Sequence, residues 1–310
     1  MDKALLVVIA LIISAVLGIW WQKLVMGFGL THMLNYPARI LRDFERKLNL
    51  DGLSNSEQSF RGLLFVAIAI IASLFVGWLF SLIFSNPIFT LAILAIFLPV
   101  GSSWSRVSSI KKNLKIGNIP AARQQLDGTV FRHHAVMDAP SLARAAIEYL
   151  SVQFSEKILS PVFWFILLGV PGLFGSVAIS ILNETLAGAN NKTSPFTKPI
   201  SGIHFIFNYI PVRLAAFLWV IAALFLPSIN IPSAIREISQ EMPMGKPNNI
   251  AILCAASSLN LSLGGNSSGY CNDRWIGGGR TTPGNADITR AQFLFILLCL
   301  LLIVSLGPFL

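Results

Sequence analysis

Charge is what this sequence has least of. Asp, Glu, Lys and Arg supply 12% of its 310 residues while 54% are hydrophobic, and the mean hydropathy is +0.69. These values lie outside the range of a soluble globular domain and inside that of a polytopic membrane protein. Acid is scarcer than base, with 14 Asp and Glu against 23 Lys and Arg, a net charge of +9. The three cysteines, Cys254, Cys271 and Cys299, are too few and too scattered for a disulfide framework or a thiolate metal set. Also absent are a G-x-x-x-x-G-K-[ST] phosphate loop, a G-x-G-x-x-G turn after a strand and a Ser/His/Asp arrangement.

What is there is long apolar runs. Crossing about 30 Å of hydrocarbon takes roughly 20 residues, and runs of that kind lie at 4–21, 62–84, 161–182, 209–228 and 291–310. A sixth, 87–101, is short, and the turn at Ser85-Asn86-Pro87 folds it back on its predecessor; a re-entrant segment stays open there. The pattern predicts a single all-α domain over 1–310, a polytopic integral membrane protein with five or six transmembrane helices. The first run leads to Trp20-Trp21-Gln22-Lys23 with no small-residue cleavage site, so a retained helix is expected.

Polar segments occupy 22–61, 102–160, 183–208 and 229–290. With six crossings and the N-terminus outside, 22–61, 102–160 and 229–290 carry six, eight and five of the 23 basic residues. The positive-inside rule then makes them cytoplasmic, facing anionic metabolites or lipids of an inner membrane rather than nucleic acid. On this layout 183–208 is external. Segment 102–160 reads as a cytoplasmic helical hairpin, and Gly264-Gly265, Gly269 and Gly277-Gly278-Gly279 predict an irregular glycine-rich region, either a backbone ligand site or a connector.

The most informative stretch is 140–172. A polar helix carrying Arg144, Glu148 and Glu156 runs directly into an apolar segment that is interrupted by Gly169-Val170-Pro171-Gly172, read as a kink. Arg144 and Glu148, one turn apart, form either a solvent-facing ion pair or part of a site. His133-His134 read as surface histidines, since adjacent side chains diverge on a helix. Asn208-Tyr209-Ile210-Pro211 looks like a cap with Pro opening a helix, which places Arg213 about one turn into the membrane, snorkelling outward or facing a bundle partner.

Read together, Ala121-Ala122-Arg123, Arg132, Ala143-Arg144-Ala145-Ala146-Ile147-Glu148, Ser160-Pro161-Val162-Phe163-Trp164, Gly169-Val170-Pro171-Gly172 and Asn208-Tyr209-Ile210-Pro211-Val212-Arg213 resemble, in order and spacing, the CobD/CbiB family of cobalamin biosynthesis. Tyr36-Pro37-Ala38-Arg39 and the pair Leu263-Gly264-Gly265 and Trp275-Ile276-Gly277 extend the resemblance over nearly the whole chain. It implies a ligase that joins aminopropanol or its phosphate to adenosylcobyric acid, with ATP and Mg²⁺ as cofactors. It also implies catalytic roles for Glu148 and Glu156 and substrate contacts from Arg132, Arg144, Asn208, Arg213, Gly264 and Gly265. No metal-ligand set is named.

The departures fall on acids. Arg132-His133 stands where the family has Arg-Asp, Val152-Gln153 where it has Glu-Asn, and Ser180-Ile181-Leu182-Asn183 where it has Asn-Thr-Leu-Asp. Gly202-Ile203-His204-Phe205 replaces Arg-Leu-Asp-Asp, and Glu156 stands in for an Asp. Mg²⁺ relies on carboxylates plus phosphate oxygens, so metal-binding capacity has thinned. Two functions remain open: an active amide synthase, and a catalytically silent membrane relative with a regulatory or partner-binding role like AmpE, acting with a membrane partner or as a homo-oligomer.

Overall fold

The computed structural model describes residues 2–27, 54–84, 86–127, 134–187, 194–225, 245–265, 268–271 and 274–309, with isolated positions at 41, 43–45, 47, 129, 131, 236, 238 and 239. Eleven α-helices are set out among these residues: α1 (Lys3–Gly27), α2 (Asn55–Ile83), α3 (Pro87–Phe97), α4 (Val100–Lys115), α5 (Ile119–Gln124), α6 (Ala139–Val152), α7 (Ser160–Leu168), α8 (Val170–Leu182), α9 (Lys198–Ala223), α10 (Pro247–Leu259) and α11 (Asn285–Leu306). Two-residue strands β1 (Leu263–Gly264) and β2 (Trp275–Ile276) pair antiparallel. Five helical stretches are long and apolar enough to cross a bilayer: α2, α3 with α4 (Pro87–Lys115), α8 with its extension (Val170–Ala187), α9 and α11. The chain is an all-α polytopic membrane protein. Exposed Leu64, Ile68, Ile71 and Phe75 on α2 are the lipid-facing side chains such a bundle needs.

Segment 87–101 does not end at Gly101. Asn86 caps α3 by accepting from the Ile88 N–H at 3.0 Å, and after a break at Leu98 and Pro99 the helix resumes as α4. A break in an apolar environment leaves backbone groups that must be satisfied. Ser14 of α1 meets both sides of it, its hydroxyl donating to the Leu98 carbonyl and accepting from the Val100 N–H at 3.3 Å. The close approach depends on glycine: a Cβ on Gly101 would overlap the Ala15 carbonyl.

Three expectations are corrected. The polar helix does run into the apolar one, since α6, a π-helical stretch (Gln153–Leu159) and α7 follow without interruption. At Gly169, however, the chain reverses rather than kinks. Gly169 sits at φ +73°, and the Gly172 Cα lies so near the Trp164 carbonyl that an added Cβ would overlap it. Eight residues along a straight helix would separate those groups by about 12 Å, so α7 and α8 are two arms of a hairpin.

The sidedness drawn from charge changes with it. Segments 22–61 and 183–208 were expected at opposite faces, yet the Ser59 hydroxyl donates to the Pro195 carbonyl at 3.0 Å and Gly62 packs on the Phe196 backbone. Both lie at one end of the bundle, because the 161–182 run turns back instead of crossing once.

Nor does Asn208 cap a helix. α9 begins at Lys198 with Pro199 in its first turn, and Pro211 lies inside it. Pro has no N–H to give the carbonyl four residues back, and that carbonyl, of Phe207, instead accepts from Trp164 Nε1 at 3.1 Å. Proline is tolerated mid-helix here because the neighbouring arm supplies the donor. Trp164→Phe should therefore cost about 1–3 kcal/mol in thermal melts, and adding Pro211→Ala, which restores an N–H, should recover most of that loss. Strictly additive effects in the double variant would overturn the pairing.

Candidate functional site

The site is assembled by α6. Asp138 caps it, accepting from the Ser141 N–H at 3.0 Å, and Pro140 occupies the first turn. The hydrogen bonds from Ser141, with the Arg144 charge adding to them, hold the Asp138 carboxyl below its usual range. One face of α6 then reaches the glycine hairpin with two side chains a turn apart. Glu148, 1% exposed, accepts from the Gly264 N–H at 2.7 Å and from the Ser268 hydroxyl at 2.7 Å. Arg144 donates to the Thr281 carbonyl at 2.6 Å and to the Ser141 hydroxyl at 2.8 Å, and its guanidinium lies 5.0 Å from the centre of the Trp275 ring. The simple solvent-facing ion pair is therefore not what forms: both side chains are spent on holding the hairpin.

The glycines have a packing role. Gly264 and Gly265 adopt φ +90° and +75°, and a Cβ would overlap the Arg274 carbonyl in the first case and strike the Trp275 ring in the second. Leu263 pairs with Ile276 and Gly264 with Trp275, so the region expected as irregular folds as a short ladder. Ser268 fixes the loop between the strands, its hydroxyl oxygen accepting from the Tyr270 and Cys271 N–H groups at 3.2 Å each.

Past Glu148 the helix widens into the π-helical stretch, a distortion frequent at functional sites. It directs Glu156 into the interior and Lys157 towards a second π-helical stretch, Asn183–Ala187, where Lys157 pairs with Glu184 at 2.7 Å. Glu156 Oε2 lies 3.3 Å from His204 Nε2 of α9, and both residues are buried. Asn248 of α10, with its amide nitrogen turned to the carboxylate as the network requires, donates to Glu156. Asn208, one turn beyond His204, donates through Nδ2 to the His204 carbonyl at 3.1 Å.

Tyr270 stands in the hairpin loop, its ring edge-to-face with Phe131 at 5.3 Å. Burial pushes its hydroxyl well above the ordinary phenol range, and Glu184, Tyr149, Glu156 and Glu148 push it further. Glu148 and Glu156 are both buried and lie eight residues apart on the same continuous helix. Burial likewise raises Glu148 to about 7 against the opposing hydrogen bonds of Ser268 and Gly264 and the charge of Arg144.

The predicted residues divide into four groups. Arg144, Glu148, Gly264 and Gly265 come together at the hairpin, and Glu156 and Asn208 at the buried cluster. Arg213 folds over Tyr209 of its own helix, 3.4 Å from the ring centre, donating to the Tyr209 carbonyl at 2.7 Å past the middle of α9 rather than near its end. Arg132, His133 and Tyr36-Pro37-Ala38-Arg39 lie outside the described residues. Ser268, Tyr270, Asn248 and Glu184 carried no motif signal. His204 did, as the residue standing where the family has an acid.

The donor set does not fit a protein-held Mg²⁺. Both Glu148 oxygens are committed, Glu156 faces an imidazole and an amide, Glu184 is paired with Lys157, and among the described residues no three of His, Cys, Asp and Glu gather for a metal.

Comparison with known proteins decides the lineage. The family model described as "CobD/Cbib protein" matches residues 7–295. The chain belongs to the CobD/Cbib family. It is similar to the "Cobalamin biosynthesis protein CobD" of Rhodobacter capsulatus, 28% identical over 95% of this chain and 93% of that one. Proteins of the same description from Rhizobium meliloti and Clostridium perfringens are 24% and 28% identical over 71% and 58% of this chain and 68% and 59% of theirs. No solved structure matches. Arg144, Glu148, Glu156, His204, Asn208 and Tyr270 all fall inside the matched span.

Glu148 carries a pH signature. Its folded-state value near 7 exceeds the ordinary 4.5, so the folded protein holds this proton more tightly than the unfolded chain does. The stability it confers is complete below about pH 4.5 and is lost as pH rises through 7. The wild-type melting temperature should fall across pH 5 to 8 by more than that of Glu148→Gln. Parallel profiles would show that Glu148 does not titrate there.

Proposed function

We propose that this protein, a cobalamin biosynthesis protein of the CobD/Cbib family, catalyses the amide-forming step in which aminopropanol or its phosphate is joined to a carboxyl group of adenosylcobyric acid. The observation that carries the reading is the pair of buried carboxylates, Glu148 and Glu156, on the continuous 139–168 helix within the span matched by the family. In amide formation the amine nitrogen attacks an activated carboxyl carbon, the activating group leaves, and the nitrogen must give up a proton. Glu156 is the buried carboxylate offered for that proton. Glu148 and Arg144 act by position, holding the hairpin, and Arg132 is the cation of this reading for anionic substrate groups. ATP is the activating co-substrate of this reading, and its Mg²⁺ is assigned to the nucleotide's own phosphates. The site belongs to the inner membrane with its polar face to the cytoplasm.

A second reading, a catalytically silent relative with a regulatory or partner-binding role, rests on the commitment of both Glu148 oxygens to the protein's own hairpin. One assay separates the two. Protein purified in lipid nanodiscs and given adenosylcobyric acid, ATP and aminopropanol phosphate should yield the amide by mass spectrometry, and Glu156→Gln should lower kcat by about 10²–10⁴. Absence of both corrinoid binding and product in the wild type would leave the silent reading standing.

A further inference from the structure

We propose that the end of the bundle where α4 finishes and α11 begins binds the phosphate of an anionic phospholipid, with Lys111, Lys112, Lys115 and Arg290 as its cations. The two helices run antiparallel and are fixed in register there. Gln292 donates through Nε2 to the Ser108 hydroxyl at 2.7 Å and accepts through Oε1 from Lys111 Nζ at 2.8 Å, and the Thr289 hydroxyl lies 3.5 Å from the same ammonium. Lys115 is one turn past Lys111 on the same side of α4, so the last turn of α4 stands beside the first turns of α11. Lys112 and Lys115 are exposed, and half of the Arg290 side chain is.

The depth of these cations in the bilayer is marked by α11. Arg290 is the last charged residue of the sequence. Beyond it the large apolar side chains exposed on α11 are Phe293, Ile296, Leu300 and Val304, spaced three and four residues apart and so aligned below Arg290 on one side of the helix. That stripe faces lipid, and a cation at its end stands at the level of the headgroups. Acyl chains packed along the stripe bring a phosphate to Arg290 and to Lys111 of the neighbouring helix.

The charge balance selects the kind of lipid. α4 and α11 together carry five basic residues, the four named and Arg106, against the single acid Asp287. Arg106 donates to the Gln125 and Asp127 carbonyls. Asp287 accepts from the Gly284 N–H at 2.9 Å and from Arg280 at 3.0 Å, and stands 3.8 Å from Arg290. Four cations at headgroup level therefore face one carboxylate already engaged by its own helix start. A zwitterionic lipid would bring a further cation to them, whereas an anionic one brings only the phosphate. A soluble phosphate would meet exposed lysines that water and salt screen, without the chains that hold a lipid in place.

Native mass spectrometry of the protein released from nanodiscs of mixed phosphatidylcholine and phosphatidylglycerol should show phosphatidylglycerol retained in preference. Phosphatidylglycerol with a photoreactive acyl chain should label α11. The combined variant Lys112→Gln, Lys115→Gln and Arg290→Gln should bind phosphatidylglycerol about a hundredfold more weakly, at roughly fivefold for each cation removed. Its melting temperature in phosphatidylcholine alone should match the wild type, and millimolar inorganic phosphate should not displace the lipid. If the combined variant does not fold, Arg290→Gln with its fivefold loss decides. Equal retention of the two lipids, labelling confined to other helices, or an unchanged preference in the variant would overturn the site. Displacement by inorganic phosphate would overturn it as well, in favour of a site for a soluble anion.

Discussion

A carboxylate buried against glycine backbone holds the working end of this protein together. Glu148 is withdrawn from water at a cost of several kcal/mol for a bare charge, offset by the Gly264 N–H, the Ser268 hydroxyl and the nearby Arg144. The contact spans more than a hundred residues and ties the hairpin between α10 and α11 to the first half of the 139–168 helix. The placement of Ser268 follows from it, and that of the Tyr270 and Cys271 backbone from Ser268. Without Glu148, the glycines at positive φ would keep the two-residue ladder, the backbone bonds around it and the hold of Arg144, but lose the side-chain acceptor of the Gly264 N–H and the Ser268 hydroxyl.

The rest of the architecture follows from one rule of the apolar interior: every backbone group released by an irregularity must find a partner. Pro99 breaks one helix and Ser14 satisfies both sides of the break; Pro211 frees the Phe207 carbonyl and Trp164 donates to it. The repairs double as fold determinants, since each joins helices far apart in sequence. The rule holds for the backbone more strictly than for side chains: His204 Nε2, Asn208 Oδ1, Ser155 Oγ and Trp219 Nε1 are among the buried side-chain atoms without a hydrogen bond.

Much of this was legible in the sequence, and the part that was not has a common cause. The apolar runs, the polar-to-apolar helix beginning near Pro140 and the order of the family's motifs are properties of contiguous residues, and each was readable. The reversal at Gly169 was read as a kink because Gly-x-Pro-Gly licenses either; the choice is made by whether Trp164 meets Gly172, a packing fact. The start of α9 was placed too late because Asn208 and Pro211 look like a cap and a first turn, and only a donor from another helix makes a mid-helix proline acceptable. The charge rule then propagated the first error, because a miscount of one crossing exchanges the sides of everything that follows it.

By itself the sequence determined membrane class, helical content, lineage and the identity of the charged residues available for chemistry, because hydropathy, helix periodicity and motif order are carried by neighbours in the chain. Only the tertiary structure decided what those residues do. It chose between the two readings of Arg144 and Glu148 by making them two holds on a distant hairpin, set Arg213 over Tyr209, and brought His204 to Glu156. The physical reason is that a buried polar atom takes its meaning from the group that satisfies it, and at Glu148, Ser14 and the Phe207 carbonyl that group comes from a part of the chain distant in sequence.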